Sequence, residues 1–104
     1  MPYIIVHTWY PPDRVDDVVN AYMQAMEKVP TDESITTPLV DAAVTSTKNG
    51  IETMTISEAK PQKLEEALER TSQRMVMFQS VPDYRYEIKI WSTIEEALAS
   101  VGKG

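Results

Sequence analysis

From Tyr3 to Tyr10 the chain reads Tyr-Ile-Ile-Val-His-Thr-Trp-Tyr. Ile4, Val6 and Thr8 fall on one face of an extended segment, and Tyr3, Ile5, His7 and Trp9 fall on the other. A strand with one wet face alternates apolar with polar residues. This segment has no clean polar side, so it predicts a strand covered on both faces. Pro11-Pro12 breaks the extended run. Asp13 is placed to cap a helix, with Asp16 and Asp17 in its first turn, where negative charge is favoured. Val15, Val18, Val19, Tyr22, Met26 and Val29 recur at spacings of three and four. They predict one apolar stripe of an amphipathic helix, ending before Pro30.

The polar stretch from Thr31 to Pro38 reads as a loop. Two β-rich runs follow, Val40 to Thr47 and Ile51 to Ser57, separated by Lys48-Asn49-Gly50. Asn-Gly accepts the positive φ values of a type I′ turn, which predicts a tight hairpin. Pro61 suits the first turn of a second helix. Its stripe is Leu64, Ala67, Leu68, Thr71, Met75 and Phe78, and Glu66 and Arg70 are spaced for an i,i+4 ion pair on its wet side. Tyr84 to Trp91 alternates plainly: Tyr86, Ile88 and Ile90 on one face, Arg85, Glu87, Lys89 and Trp91 on the other. Thr93 and Glu96 have capping-box spacing ahead of a short helix through Ile94, Ala97, Leu98 and Val101, with Gly102 at its C′ position.

The order β-α-β-β-α-β plus a terminal helix defines an α+β class, most simply closed as a split βαβ arrangement. Right-handed crossovers put both long helices on one side of a sheet with order 4-1-3-2. Aligning the first and fourth strands end to end sets Ile4 against Ile90, Val6 against Ile88 and Thr8 against Tyr86, an apolar face for the helices. The other face then carries Tyr3 with Trp91, Ile5 with Lys89, His7 with Glu87 and Trp9 with Arg85. Opposite residues have Cβ atoms about 4.5–5.5 Å apart, so His7 and Glu87 are within bonding reach in this register. A slip of two residues replaces Glu87 by Lys89 or Arg85. In the hairpin, an Asn49-Gly50 turn pairs Thr45 with Met54 and Ala43 with Ile56. Met54 and Ile56 are assigned to the helix side, leaving Val40, Val44, Thr53 and Thr55 for the second face. In a monomer, Tyr3, Ile5, Trp9 and Trp91 would expose more apolar area than the few hundred Å² typical of a monomer's largest patch. Sheet-on-sheet pairing of two copies about a two-fold axis resolves this. The short terminal helix is the rival cover.

Composition narrows the chemistry. At 104 residues the chain is one domain, 1–104, with 42% hydrophobic and 25% charged residues, ordinary for a globular protein. Ten basic against sixteen acidic residues give a net charge of −6, which argues against nucleic acid and against an anionic membrane as partners. No cysteine is present, so disulfides, thiolate catalysis and cysteine-ligated metals are excluded. With one histidine and no carboxylates at calcium-loop spacing, no metal is expected. Three glycines, two of them at the C-terminus, make no phosphate loop, and there is no Gly-x-Ser-x-Gly elbow. Neither a signal peptide nor a membrane span is visible, so a cytoplasmic location is expected.

His7 is the candidate acid/base, because imidazole titrates near neutrality, and Glu87 the group that orients it. The bland alternative is a structural His7 satisfied by Glu87 or a backbone carbonyl. Trp9 and Trp91 would wall a ligand site, joined as candidate ligand-binding residues by Tyr3, Tyr22, Thr53 and Thr55. Against this, Tyr3, Trp9, Tyr84 and Trp91 also read as aromatics packing a dimer seam. Tyr22 reads as a helix-stripe residue with its hydroxyl at the rim.

In element order, length and two-faced first strand, the chain resembles the dimeric α+β barrel superfamily, which includes the antibiotic-biosynthesis monooxygenase-like domains and many small proteins without known activity. The resemblance covers nearly the whole chain. It implies two ferredoxin-like subunits sharing a barrel, with a cavity between each sheet and its helices or at the seam. Haem-degrading relatives carry the iron-ligating histidine on a helix. The only histidine here is on the first strand, so haem is not expected, and no other cofactor is. The reading that follows is a homodimer binding a small apolar or aromatic molecule without catalysis. The alternatives are a cofactor-independent monooxygenase- or isomerase-type enzyme using His7, and a protein-interaction module whose acidic helix surface meets a basic partner.

Overall fold

The computed structural model describes residues 1–102. Strand β1 spans Tyr3–Tyr10, helix α1 Val15–Lys28, strands β2 Thr36–Thr47 and β3 Gly50–Ala59, helix α2 Leu64–Val76, strand β4 Arg85–Trp91 and helix α3 Ile94–Ser100. The four strands form one antiparallel sheet in the order β2-β3-β1-β4, the expected order read from its other edge. Both long helices cover the same face. Val6 packs with Val18, Ala21 and Ala25 of α1 and with Met75 and Phe78, while Ile4, 1% exposed, packs with Ala67, Leu64 and Leu68 of α2.

The β1–β4 register matches the paper alignment without slip: Tyr3 lies opposite Trp91, His7 opposite Glu87 and Trp9 opposite Arg85. Alternation enforces it, because a one-residue shift would turn Val6 and Ile4 away from the helices. The capping box of α3 also forms. Glu96 N–H donates to Thr93 Oγ1 at 3.1 Å, Thr93 N–H donates to Glu96 Oε1 at 2.8 Å, and Gly102 follows at φ 78°. The helix buries none of its residues, however, and leaves Ile94, Leu98 and Val101 exposed. It is no roof for the aromatic face.

Four local expectations are corrected. Pro12–Arg14 forms a 3-10 turn, so Asp13 precedes α1 and does not cap it. The buried stripe of α1 is Val18, Ala21, Ala25 and Val29, rotated from the predicted one: Val15, Val19 and Tyr22 are exposed. Small alanines let the helix backbone approach the sheet, and the larger apolar residues flank that contact. Helix α2 begins at Leu64, three residues after Pro61. Glu66 pairs with Lys63 at 3.3 Å, while Arg70 donates to the Pro30 carbonyl on the α1–β2 connection.

The hairpin correction has the widest consequence. Thr47 pairs with Gly50, Thr45 with Glu52 and Ala43 with Met54, so Lys48-Asn49 forms the turn. Neither turn residue has the positive φ of a type I′ turn; that conformation passes to Gly50, at φ 131°. Thr47 Oγ1 accepts from Asn49 N–H and donates to the Gly50 carbonyl, both at 3.1 Å. Strand β3 then pairs with β1 so that Ile5 opposes Ile56, His7 opposes Met54, Val6 opposes Thr55 and Thr8 opposes Thr53. Directly paired residues share a face. Met54 and Ile56 therefore lie on the open face with His7, and Thr53 and Thr55 lie beneath the helices, the reverse of the expected assignment. Irregularities between Pro38 and Ala43 bend β2 along this edge.

Gly50 allows no side chain. A Cβ there would sit 2.7 Å from the Tyr10 carbonyl oxygen, on a backbone that L-residues rarely adopt. Gly50→Ala is expected to lower unfolding free energy by about 1–3 kcal/mol, read from the midpoint of chemical denaturation. A midpoint equal to that of the unsubstituted chain would show that the turn relaxes freely.

Candidate functional site

Between the sheet and the two long helices lies a cavity of about 710 Å³. Its depth follows from the mismatch of layers. The β2–β3 hairpin reaches past the helices, leaving every residue from Asp41 to Asn49 exposed. Meanwhile Ala21, Ala25 and Ala67, where α1 and α2 approach the core, are small. Val6, Thr8, Thr53 and Thr55 form the floor. Val18, Val19, Tyr22 and Met26 of α1 form one wall, and Val40 and Val44 of β2 contribute another. Arg70, Thr71, Arg74, Thr31 and Asp32 line the end where α2 meets the α1–β2 connection.

The floor sets three threonine hydroxyls beside Val6. Thr8 and Thr53, directly opposite on β1 and β3, share a hydrogen bond between their hydroxyls. Thr8 is buried. Beside it, Tyr84 stacks between Phe78, with ring centroids 4.9 Å apart, and Tyr10, at 5.8 Å. Tyr86 tilts against the same ring. Burial pushes the Tyr84 phenol up to about 12, the nearby Thr8 hydroxyl acting weakly in the opposite direction. Tyr10 is raised by the same cause. Tyr84 is thus a cavity residue and not part of any seam on the open face. It precedes β4 and continues the inward row of Tyr86 and Ile88.

At the opposite polar end, Arg74 Nε donates to the Val29 carbonyl at 2.7 Å and its Nη2 to Thr31 Oγ1 at 3.3 Å. Burial first, then the adjacent Arg70 charge, makes Arg74 easier to deprotonate, while Tyr22 acts the other way. Asp32 spends its carboxylate on Ser34, accepting from the backbone N–H at 3.0 Å and from Oγ at 2.6 Å. Those bonds are the main reason its pKa is low, with Arg70 and Lys63 adding to it.

The open face is separate from this cavity. His7 stacks on Trp9 with centroids 5.7 Å apart and planes 25° apart. Trp9 Nε1 donates to Glu52 Oε1 at 3.1 Å. Glu87 faces His7 across the strand pair, but Glu87 Oε1 lies 3.4 Å from Lys89 Nζ and makes no hydrogen bond to the imidazole. Tyr3, Ile5, Met54, Ile56 and Trp91 share the face, with Trp91 55% and Trp9 38% exposed.

The sequence-derived candidates therefore divide. His7, Glu87, Tyr3, Trp9 and Trp91 stand on the open side, and Tyr22, Thr53 and Thr55 line the cavity. Sequence reasoning missed Thr8, Tyr10, Tyr84, Arg70 and Arg74 as cavity residues. For Tyr84 the parity of β4 held a usable signal, and for Tyr10 that of β1 did. Arg70 was masked by the more local pairing open to it with Glu66. Among the described residues no group of three or more metal-ligating side chains comes together, and no helix is long and apolar enough to cross a membrane. No protein-family model matches the chain, and no curated protein matches it.

The packing of Tyr84 sets an alkaline signature. A phenol that holds its proton longer folded than unfolded stabilises the fold fully below pH 10. That contribution is lost as pH rises from about 10, where the unfolded chain ionises, to about 12. Absorbance at 295 nm should show a late ionisation phase near pH 12 that belongs to Tyr84. Tyr84→Phe should flatten the decline of stability between pH 10 and 12. A late phase that survives this substitution would place the perturbed phenol elsewhere.

Proposed function

We propose that this protein binds a small apolar or aromatic molecule in the cavity between its sheet and helices, as a homodimer joined through the open face of the sheet. The observation that carries the binding reading is the cavity itself. A volume of about 710 Å³ falls within the roughly 300–1,000 Å³ of small-molecule sites, which are mostly apolar with few polar groups. Thr8, Thr53 and Tyr84 are such groups, set among Val6, Val18 and Phe78. A flat apolar ligand seated there takes the apolar part of this lining out of water, which is favourable.

His7 and Glu87 stand on the far side of the sheet from this space, so binding needs neither of them. The open face supports the second half of the proposal. Tyr3, Ile5, Met54, Ile56, Trp9 and Trp91 form an apolar surface with charged residues of β4 along its margin. Helix α3 is the element in sequence best placed to shield it, yet none of its own residues is buried and Trp91 stays 55% exposed. Covering the exposed half of Trp91 alone is worth about 3 kcal/mol at roughly 25 cal/mol per Å². Two sheets packed face to face about 10 Å apart interdigitate such rows.

Two measurements test the halves separately. N-phenyl-1-naphthylamine, a neutral dye that brightens in apolar surroundings, is expected to bind once per chain. Val44→Trp, which fills the cavity from its exposed β2 wall, should weaken that binding at least ten-fold. Dye binding that ignores Val44→Trp but is abolished by Trp91→Glu would move the ligand to the open face and overturn the cavity reading. Sedimentation equilibrium at micromolar concentration should give about twice the 11.8 kDa chain mass, and Trp91→Glu should return the monomer mass. A monomer mass for the unsubstituted protein would overturn the pairing.

A further inference from the structure

We propose that the cavity's ligand is an acid: an apolar or aromatic body bearing one carboxylate, which Arg70 and Arg74 receive. This inference rests on the cavity being a binding site and names the class of molecule that fits it. The chain carries sixteen acidic residues against ten basic ones, yet among the described residues neither of these neighbouring guanidiniums forms an ion pair with a carboxylate. Glu66, four residues before Arg70 and ideally spaced for it, pairs with Lys63 instead. Both arginines line the cavity.

A structural role accounts for part of their bonding. Arg74 Nε and Nη2 hold the Val29 carbonyl and Thr31, and Arg70 Nη2 holds the Pro30 carbonyl, where α1 ends and favours positive charge. Among the described residues, both Nη1 groups and the Arg70 Nε have no hydrogen-bond partner. Guanidinium donors form a fixed fork matched to a planar carboxylate. Two like charges placed side by side at a partly buried site repel, and an anion between them relieves this. Thr31 and Tyr22 line the same end and offer hydroxyls to the same oxygens.

The neighbouring acids set the ligand's charge. Asp32 lies close enough to Arg70 to feel its charge, and Asp41 lines the cavity as well. Two arginines beside these carboxylates leave room for a monoanion and disfavour a dianion such as a phosphate monoester. The rest of the lining sets valines, methionines and aromatic rings beside the hydroxyls of Thr8, Thr53 and Thr55, which suits a mainly hydrocarbon body with few polar groups.

The test compares 2-naphthoate with its neutral isostere 2-naphthamide by titration calorimetry on the full chain at pH 7. Naphthoate should bind at least ten-fold more tightly, and its advantage should shrink as sodium chloride rises from 20 to 500 mM. Arg74→Gln and Arg70→Gln should each bring the ratio of the two affinities toward one. Equal affinities in the unsubstituted protein would overturn the acid proposal and leave the cavity standing. Failure of both probes to bind would remove the cavity reading and this inference with it. Should a variant not fold, the arginine Nε–H resonances of the unsubstituted protein decide. Naphthoate should shift those of Arg70 and Arg74 and naphthamide should not, while identical shifts from both probes would overturn the proposal.

Discussion

The pairing of β1 with β3 is the constraint on which the rest of the molecule depends. With Thr8 opposite Thr53 and Val6 opposite Thr55, the β3 residues under the helices are short and hydroxylated. With Ile5 opposite Ile56 and His7 opposite Met54, the bulky apolar residues go to the side without helices. An ordinary two-layer α+β domain places its largest hydrophobes between sheet and helices. Here that space keeps a hollow with a polar floor, and the hydrophobes face outward. Both properties come from one register, because the residues of a strand alternate strictly between its faces.

The core is correspondingly divided. One cluster gathers Val6, Val18, Ala21, Ala25, Met75, Phe78 and Val81, and a second gathers Ile4, Ile35, Ala59 and Ala67. Neither cluster fills the region under the β2–β3 hairpin. The tyrosines stiffen its border. Tyr84 is held between Phe78 and Tyr10, so its hydroxyl is fixed near Thr8 rather than free to swing. Rigid aromatic walls and one placed hydroxyl cost a ligand little ordering on binding. At the other end, Arg70 and Arg74 bind the end of α1 and the connection after it, so the cationic end of the cavity is built by the same bonds that fasten the helix pair to the sheet's first crossover.

Much of this architecture was readable in the sequence. The parity of Ile4, Val6 and Thr8 predicted the strand face that the helices cover. The alternation from Tyr84 to Trp91 assigned the faces of β4, and the observed register is the end-to-end one, although alternation alone does not separate it from a slip of two residues. The Thr93 and Glu96 spacing located the start of α3. What failed was decided by geometry that spacing does not encode. Asn49-Gly50 has the composition of a type I′ turn, yet the turn sits one residue earlier because Thr47 bonds across it on both sides. Met54 and Ile56 were drawn to the helix side by their hydrophobicity, a sound rule when a sheet has only one dry face. In α1 the stripe of valines and Tyr22 outweighed Ala21 and Ala25 on paper, although close backbone packing favours the alanines. The candidate site suffered most. It joined side chains from opposite faces because a set of residues near a strand says nothing about which volume is empty.

The two-sided strand also links the two proposals. Along β1, Ile5, His7 and Trp9 would meet the second copy, while Val6, Thr8 and Tyr10 meet the cavity. Each residue on the open side of β1 is therefore a covalent neighbour of one that lines the cavity. With a second copy seated on the open face, a backbone shift that loosened the seam would tilt the Thr8 and Thr53 hydroxyls, and a ligand that tightened the floor would favour the strand geometry in which the seam closes. Thermodynamic linkage makes such coupling reciprocal: if assembly strengthens binding, binding strengthens assembly by the same factor. His7 lies on the open side of this strand. Its ring lies flat against Trp9 at the centre of the face that would close, directly opposite Met54.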